Sequence, residues 1–158
     1  MYAMYLRAQG LVPVVLDDPD EAFRQAAQMD LIVTGIRLRE AADGLALILR
    51  LRGHESTRSK PIIVLTACAF DEDRNRAMAA GCDVFLAKPC PPASLLAEVH
   101  RLIARARELR VEALQQTIRS ELAVRAAGQL ISESTGVQQT ASPEPPADPD
   151  LHPDKPQE

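Results

Sequence analysis

Short apolar runs alternate with amphipathic stretches up to about residue 105, and that alternation predicts most of the elements. Residues 1–9 carry Met4, Leu6 and Ala8 and stop at Gly10, compatible with the end of a helix. Residues 12–16 are apolar and rich in valine, bounded by Gly10 and by the turn signal Asp17-Asp18-Pro19, and predict a strand. A short helix follows over 20–28, with Ala22, Phe23, Ala26 and Ala27 turned inward, and a second strand over 31–34. Residues 43–52 place Leu45, Ile48, Leu49 and Leu51 at helical spacing. The run 61–65 has no polar alternation, as expected of a strand covered on both faces of a parallel sheet. A helix over 71–80 closes at Gly81, a short strand occupies 84–86, and a helical pattern starts at Ala93.

Helices alternating with strands in this order predict a doubly wound α/β fold with a parallel sheet. The last helical pattern continues through Leu109, Leu114, Ile118 and Leu122 to about Ile131. That is too long for one small domain, so part of it protrudes or forms a second helix. Beyond Ser132 the prolines Pro143, Pro145, Pro146, Pro149, Pro153 and Pro156 and scattered acids cannot bury a core. The expected organisation is therefore a domain over 1–105, a helical extension over 106–131 and a disordered tail over 132–158.

Composition narrows the function classes. A 46% hydrophobic share supports a core, but aromatics make up only 3%, so aliphatic side chains must build it. With a net charge of −4 and no basic run, the chain lacks the clustered positive field of a nucleic-acid groove. Cys68, Cys82 and Cys90 form no CxxC pair and no even framework, which fits a reduced compartment. No apolar stretch is long enough to span a bilayer, and residues 1–9 do not read as a signal peptide, so a cytoplasmic protein without membrane contact is expected.

In open α/β sheets ligands gather beyond the carboxyl ends of the strands. The residues there, with their strands, are Asp30-Leu31-Ile32-Val33, Asp43-Gly44, Ile63-Val64-Leu65-Thr66-Ala67, Ala80-Gly81-Cys82-Asp83 and Phe85-Leu86-Ala87-Lys88-Pro89. In order and spacing this set resembles the receiver domain of the two-component response regulators, over roughly residues 1–105. The resemblance implies a flavodoxin-like parallel sheet and a place in phosphorelay signalling, with a histidine kinase or an output protein as partner. It places the phospho-acceptor position at Gly35, the hydroxyl switch residue at Thr66 and the switch aromatic at Phe85. The phosphoryl-pairing lysine falls at Lys88, and the Lys88-Pro89 bond is expected to be cis, which a following proline makes accessible.

Two departures from the family pattern outweigh these matches. Glycine at 35 offers no carboxylate to attack phosphorus. Thr34 should point to the other side of its strand, and Asp43 lies in the following loop, so neither is a natural substitute. The family also begins with a strand ending in an acidic pair that holds Mg²⁺. Asp17 and Asp18 do not match it, because residues 19–30 leave room for only one helix before the next strand. They match the end of the second strand and are expected to face solvent. Without the acidic pair no Mg²⁺ or other metal is expected. In the family order 2-1-3-4-5 the missing strand lies between 12–16 and 31–34, leaving backbone groups unpaired or forcing direct pairing. The expectation is a reading frame that begins upstream of Met1, or a decaying gene copy.

Plainer readings cover the remaining candidates. His54, His100 and His152 have no partners at ligand or triad spacing and are expected to be solvated. The cysteines would support a redox sensor only if they met at the carboxyl end of the sheet; small buried apolar residues are the simpler reading. The mixed charges of 101–125 read as a solvated helix face, while its Leu and Ile positions favour a partner helix or the same helix of a second copy. The leading functional expectation is a non-enzymatic pseudo-receiver that works by protein–protein binding. One alternative is a phosphorylatable receiver with an incomplete sequence and a displaced acceptor. A more distant one is a haloacid dehalogenase-type phosphohydrolase using Asp18 and Asp20 with Thr66 and Lys88, although that family needs a later acidic pair. Residues beyond Ile103 do not resemble a DNA-binding output domain.

Overall fold

A computed structural model describes residues 1–38, 43–67 and 70–136, with side chains up to Gln129. The described residues divide into two units, one over Met1–Ala113 and one starting at Leu114. In the first, helices α1 (Tyr2–Ala8), α2 (Pro19–Ala26), α3 (Gly44–Gly53) and α4 (Asp71–Ala80) alternate with strands β1 (Ile32–Thr34), β2 (Ile62–Thr66) and β3 (Val84–Ala87); α5 (Pro92–Gly136) begins there and continues past its end. The strands are parallel in the order β1-β2-β3, with Ile32 opposite Ile62 and Val64 opposite Phe85.

Local chemistry explains the helix starts. Asp18 accepts a hydrogen bond from the Asp20 amide at 2.9 Å, Pro19 pre-sets the first turn of α2, and Asp20 and Glu21 face its positive end. Asp43 caps α3 in the same way through the Leu45 amide at 2.8 Å. Three acids, Asp71, Glu72 and Asp73, open α4, and Gly81 closes it at φ 103°, a conformation that favours glycine.

The sheet separates two cores. On one face Ile62 and Val64 pack with Ile48 and Leu51 of α3 and Ala77 of α4; on the other Ile63 and Leu65 pack with Leu6 of α1 and Leu95 and Val99 of α5. All of β2 is buried, with Ile62, Ile63 and Val64 at 0% exposure, as the unbroken apolar run predicted. Burying each such side chain contributes roughly 1.5–3 kcal/mol. Truncating Ile63 to Ala would forfeit about 2–5 kcal/mol, because the layer of α1 and α5 closes around it.

One predicted element does not form. Residues 12–16 have no regular structure, and Val12 is 89% and Val15 67% exposed. Strand propensity is realised only when a neighbour supplies ladder partners, and among the described residues none lies beside this segment. The last helix continues past the expected boundary at Ile131 to Gly136, consistent with the absence of proline between Pro92 and Pro143. The rest of the expected tail, 137–158, lies outside the described residues. No helix among the described residues is long and apolar enough to cross a membrane.

Candidate functional site

The carboxyl ends of β1, β2 and β3 deliver Gly35, Thr66 and Lys88 to one cleft of about 430 Å³. Gly35 directly follows β1 and Thr66 closes β2. The Lys88 amide donates to the Thr66 carbonyl at 2.8 Å, which fixes the turn after β3 beside the end of β2. Thr66 is buried, whereas Lys88 is exposed and its Nζ stands 5.9 Å from the centre of the Tyr2 ring. The Tyr2 hydroxyl in turn donates to the Cys90 carbonyl at 2.7 Å, tying α1 to the loop beyond β3. The Lys88–Pro89 peptide is cis, as the resemblance implied.

Phe85 does not line the cleft. It packs half-buried against the core of α2, α3 and α4, with the Arg74 guanidinium 5.9 Å from its ring centre. Two charged side chains that the sequence reading did not place there, Asp17 and Arg37, do line it. Asp17 is exposed as expected, but it also borders the cleft, because the segment before it follows the margin of the sheet without pairing. Its position after an apolar run was the available signal, since such positions collect at the ligand end of an α/β sheet.

At Gly35 a Cβ would lie 3.2 Å from the Arg37 carbonyl oxygen and 3.7 Å from that of Leu65, so a side chain fits with a shift of a few tenths of an ångström. The constraint sits instead at Gly44, where a Cβ would fall 1.8 Å from the Gly35 carbonyl oxygen. The Gly44 amide donates to the Ile36 carbonyl at 2.7 Å, so α3 begins pressed directly on the backbone of the candidate site.

The substitutes for a carboxylate at 35 are otherwise engaged. Asp43 caps α3, and Thr34 is buried with its hydroxyl donating to the Gly35 carbonyl at 3.2 Å. Asp18 caps α2, and Asp20 pairs with Arg50, so the two acids of the phosphohydrolase alternative serve α2 and its contact with α3, and neither borders the cleft.

Cys82 and Cys90 do not meet. Cys82 lies before β3 in one core and Cys90 beyond its other end in the second core, both buried; Cys68 is outside the described residues. Burial pushes the Cys82 thiol up, with the neighbouring Asp83 adding to the rise. His54 meets the Ser56 hydroxyl at 2.9 Å and the edge of Phe23, His100 is exposed, and His152 is outside the described residues.

Comparison with known proteins supplies the family context for this cleft. Residues 2–100 match the model of the response regulator receiver domain. The chain is 32% identical over 114 residues to the phosphate regulon transcriptional regulatory protein PhoB of Escherichia coli, covering 71% of this chain and 49% of that protein. It is 36% identical over 87 residues to the transcriptional regulatory protein GltR of Pseudomonas aeruginosa, covering 53% of this chain and 36% of that protein. The chain thus spans about half the length, or less, of these curated relatives. Among solved structures it resembles the receiver domain of a Pseudomonas aeruginosa sensor histidine kinase that holds a magnesium ion in its active-site cleft. That match has 34% identity and a TM-score of 0.58, over 64% of this chain and 84% of the other. A Burkholderia pseudomallei response regulator with a phosphorylated aspartic acid matches at 29% identity and a TM-score of 0.56, over 70% and 63% of the two chains.

Proposed function

This chain belongs to the response regulator receiver domain family of two-component signalling, and from that premise we propose that it is a pseudo-receiver, acting by protein–protein binding without an acyl phosphate. One observation carries the proposal. The cleft keeps the hydroxyl of Thr66 and the ammonium of Lys88 but presents a bare backbone at Gly35, where a nucleophile would have to stand. Its described lining offers one carboxylate, Asp17, against the cations Arg37 and Lys88. Such a set is poorly matched to Mg²⁺, which seeks near-octahedral oxygen coordination, so no metal or cofactor has a part in the proposed role. Signal transfer then depends on which surfaces the domain shows to a histidine kinase or an output protein in the cytoplasm. Nucleic acid and membrane have no part in it. The exposed Leu114, Ile118 and Leu122 of α5 favour a homodimer through that helix.

Incubation with acetyl phosphate and Mg²⁺, followed by intact-mass measurement, tests the proposal: no phosphoryl adduct is expected. A second reading, a phosphorylatable receiver with a displaced acceptor, draws on the place of Asp17 at the same cleft as Thr66 and Lys88. An adduct that forms on the native chain and vanishes in Asp17→Asn would establish that reading and end the first.

A further inference from the structure

At the amino end of the sheet, opposite the cleft, a groove of about 320 Å³ opens between α5 and the turns that enter β1 and β2. One wall is α5, where Ile103, Ala106, Arg107, Arg110 and Ala113 recur at spacings of three and four and so share a face. The other wall is the approach to β2, with Ser59, Lys60 and Pro61, and Asp30 stands before β1. Backbone bonds fix that second wall. The Lys60 amide donates to the Thr57 carbonyl at 2.9 Å, the Lys60 carbonyl accepts from Arg52 Nη1 at 2.7 Å, and the Pro61 carbonyl accepts from the Ile32 amide at 2.9 Å.

Charge sets this groove apart from the rest of the chain. Lys60, Arg107 and Arg110 line it against the single carboxylate of Asp30, on a protein of net charge −4. None of the three cations is ion-paired with a described residue. An isolated anion would use only these charges, yet the lining is also apolar: Pro61 is buried, Ile103 half-buried and Leu109 55% exposed. Exposed apolar surface flanked by unpaired arginines is the makeup of a protein-docking patch rather than of a solvated helix face. From Ile103 to Ala113 the α5 wall rises about 15 Å, the span of about five extended residues. We propose that this groove docks a short acidic segment of a partner protein, with its carboxylates on Lys60, Arg107 and Arg110 and an apolar side chain over Ile103 and Leu109. The inference rests on the reading of the chain as a protein-binding module, and gives that module a contact at the opposite end of the sheet from Gly35, Thr66 and Lys88.

The probe is a fluorescein-labelled peptide of three Glu-Glu-Leu repeats, titrated with the full chain and read by anisotropy. Combined Arg107→Glu and Arg110→Glu are expected to weaken binding about tenfold, with the urea midpoint unchanged because both arginines are exposed. Lys60→Glu, on the opposite wall, is expected to weaken it in the same direction. A Glu-Glu-Ser peptide is expected to bind about threefold more weakly than the Glu-Glu-Leu peptide. No binding of the Glu-Glu-Leu peptide, or equal binding by all variants, would overturn the proposal. Equal binding of the two peptides, with full displacement by inorganic tripolyphosphate at matched ionic strength, would make the groove a counterion site and overturn it as well. So would light scattering that shows self-association of the native chain lost in Lys60→Glu, because a second copy would then be the occupant. The acetyl phosphate experiment reads the other end of the sheet, so failure of the groove and failure of the pseudo-receiver reading are told apart.

Discussion

Replacing Arg52 with Met removes a side chain that fastens the amino ends of the strands, far from the candidate cleft. Its Nε donates to the Gly81 carbonyl at 2.9 Å and its Nη1 to the carbonyls of Arg58 and Lys60 at 3.0 and 2.7 Å. Its Nη2 lies 2.8 Å from Asp83 Oδ2, which also accepts from the Ile62 amide at 2.7 Å as β2 begins. One guanidinium thus joins the end of α3, the approach to β2 and the turn between α4 and β3. The ion pair contributes under about 1 kcal/mol, because Asp83 is 41% exposed and water screens it. The bonds to Lys60 and Gly81 are half-buried and contribute about 1 kcal/mol each, while water replaces the exposed bond to Arg58. Arg52→Met should therefore cost about 2–3 kcal/mol, out of the 5–15 kcal/mol typical of a domain. Urea unfolding is the assay, and the expected result is a lower midpoint at unchanged slope. Arg52→Lys should recover less than half of the loss, since a single ammonium cannot reach three directions at once. A loss below about 1 kcal/mol, or full recovery with Lys, refutes this reasoning.

Gly44→Ala forces a methyl carbon onto the Gly35 carbonyl and should destabilise by about 2–3 kcal/mol in urea, while Gly35→Ala should cost under about 1 kcal/mol. Equal losses would show that α3 does not press on the site. The raised Cys82 thiol predicts slow alkylation at Cys82 in the native chain relative to the urea-unfolded chain at pH 8.5, read by peptide mass mapping. The same shift makes the unfolded thiol ionise first. Its stabilising contribution is thus full below the ordinary thiol value and lost as pH rises through the elevated one, so native Cys82 should lose its advantage over Cys82→Ala in alkaline unfolding series. If α5 dimerises, Ile118→Asp should lower the mass found by light scattering toward that of one chain, and an unchanged monomeric mass in the native protein would remove that partner.

Much of this structure was legible because short-range chemistry and tertiary packing agreed. The unbroken Pro61-Ile62-Ile63-Val64-Leu65 run announced a strand buried on both faces, and Gly81 marked the end of α4. The spacing of Thr66 and Lys88 brought both to one cleft. Cys82 and Cys90 are the small buried residues the simpler reading expected, and β3 runs between them and separates them into opposite cores. What local sequence did not show depended on which side of the sheet a loop returns to. Arg37 and Asp17 reach the cleft from the ends of apolar runs, a signal that gives the end of the sheet but not the course of the loops. Phe85, matched to the switch aromatic by its offset from Lys88, was read as partly core, and side-chain alternation along β3 turns it half-buried into the α2–α4 core.

Segment 12–16 ties the remaining discrepancy to the site itself. Its side chains are those a strand favours, yet β propensity describes fit to a neighbouring pleated surface rather than a backbone preference. With no neighbouring strand, the segment lies along the free edge of β1 and carries Asp17 to the margin of the cleft. Pairing it into the sheet would fix the direction in which Asp17 leaves its strand, because ladder hydrogen bonds dictate which side each residue faces. The cleft's only described carboxylate is thus positioned by the same open edge that leaves Val33 exposed. Gly35 is free of that dependence: it follows a strand already paired to β2, and whatever lies beside β1 it has no side chain to offer.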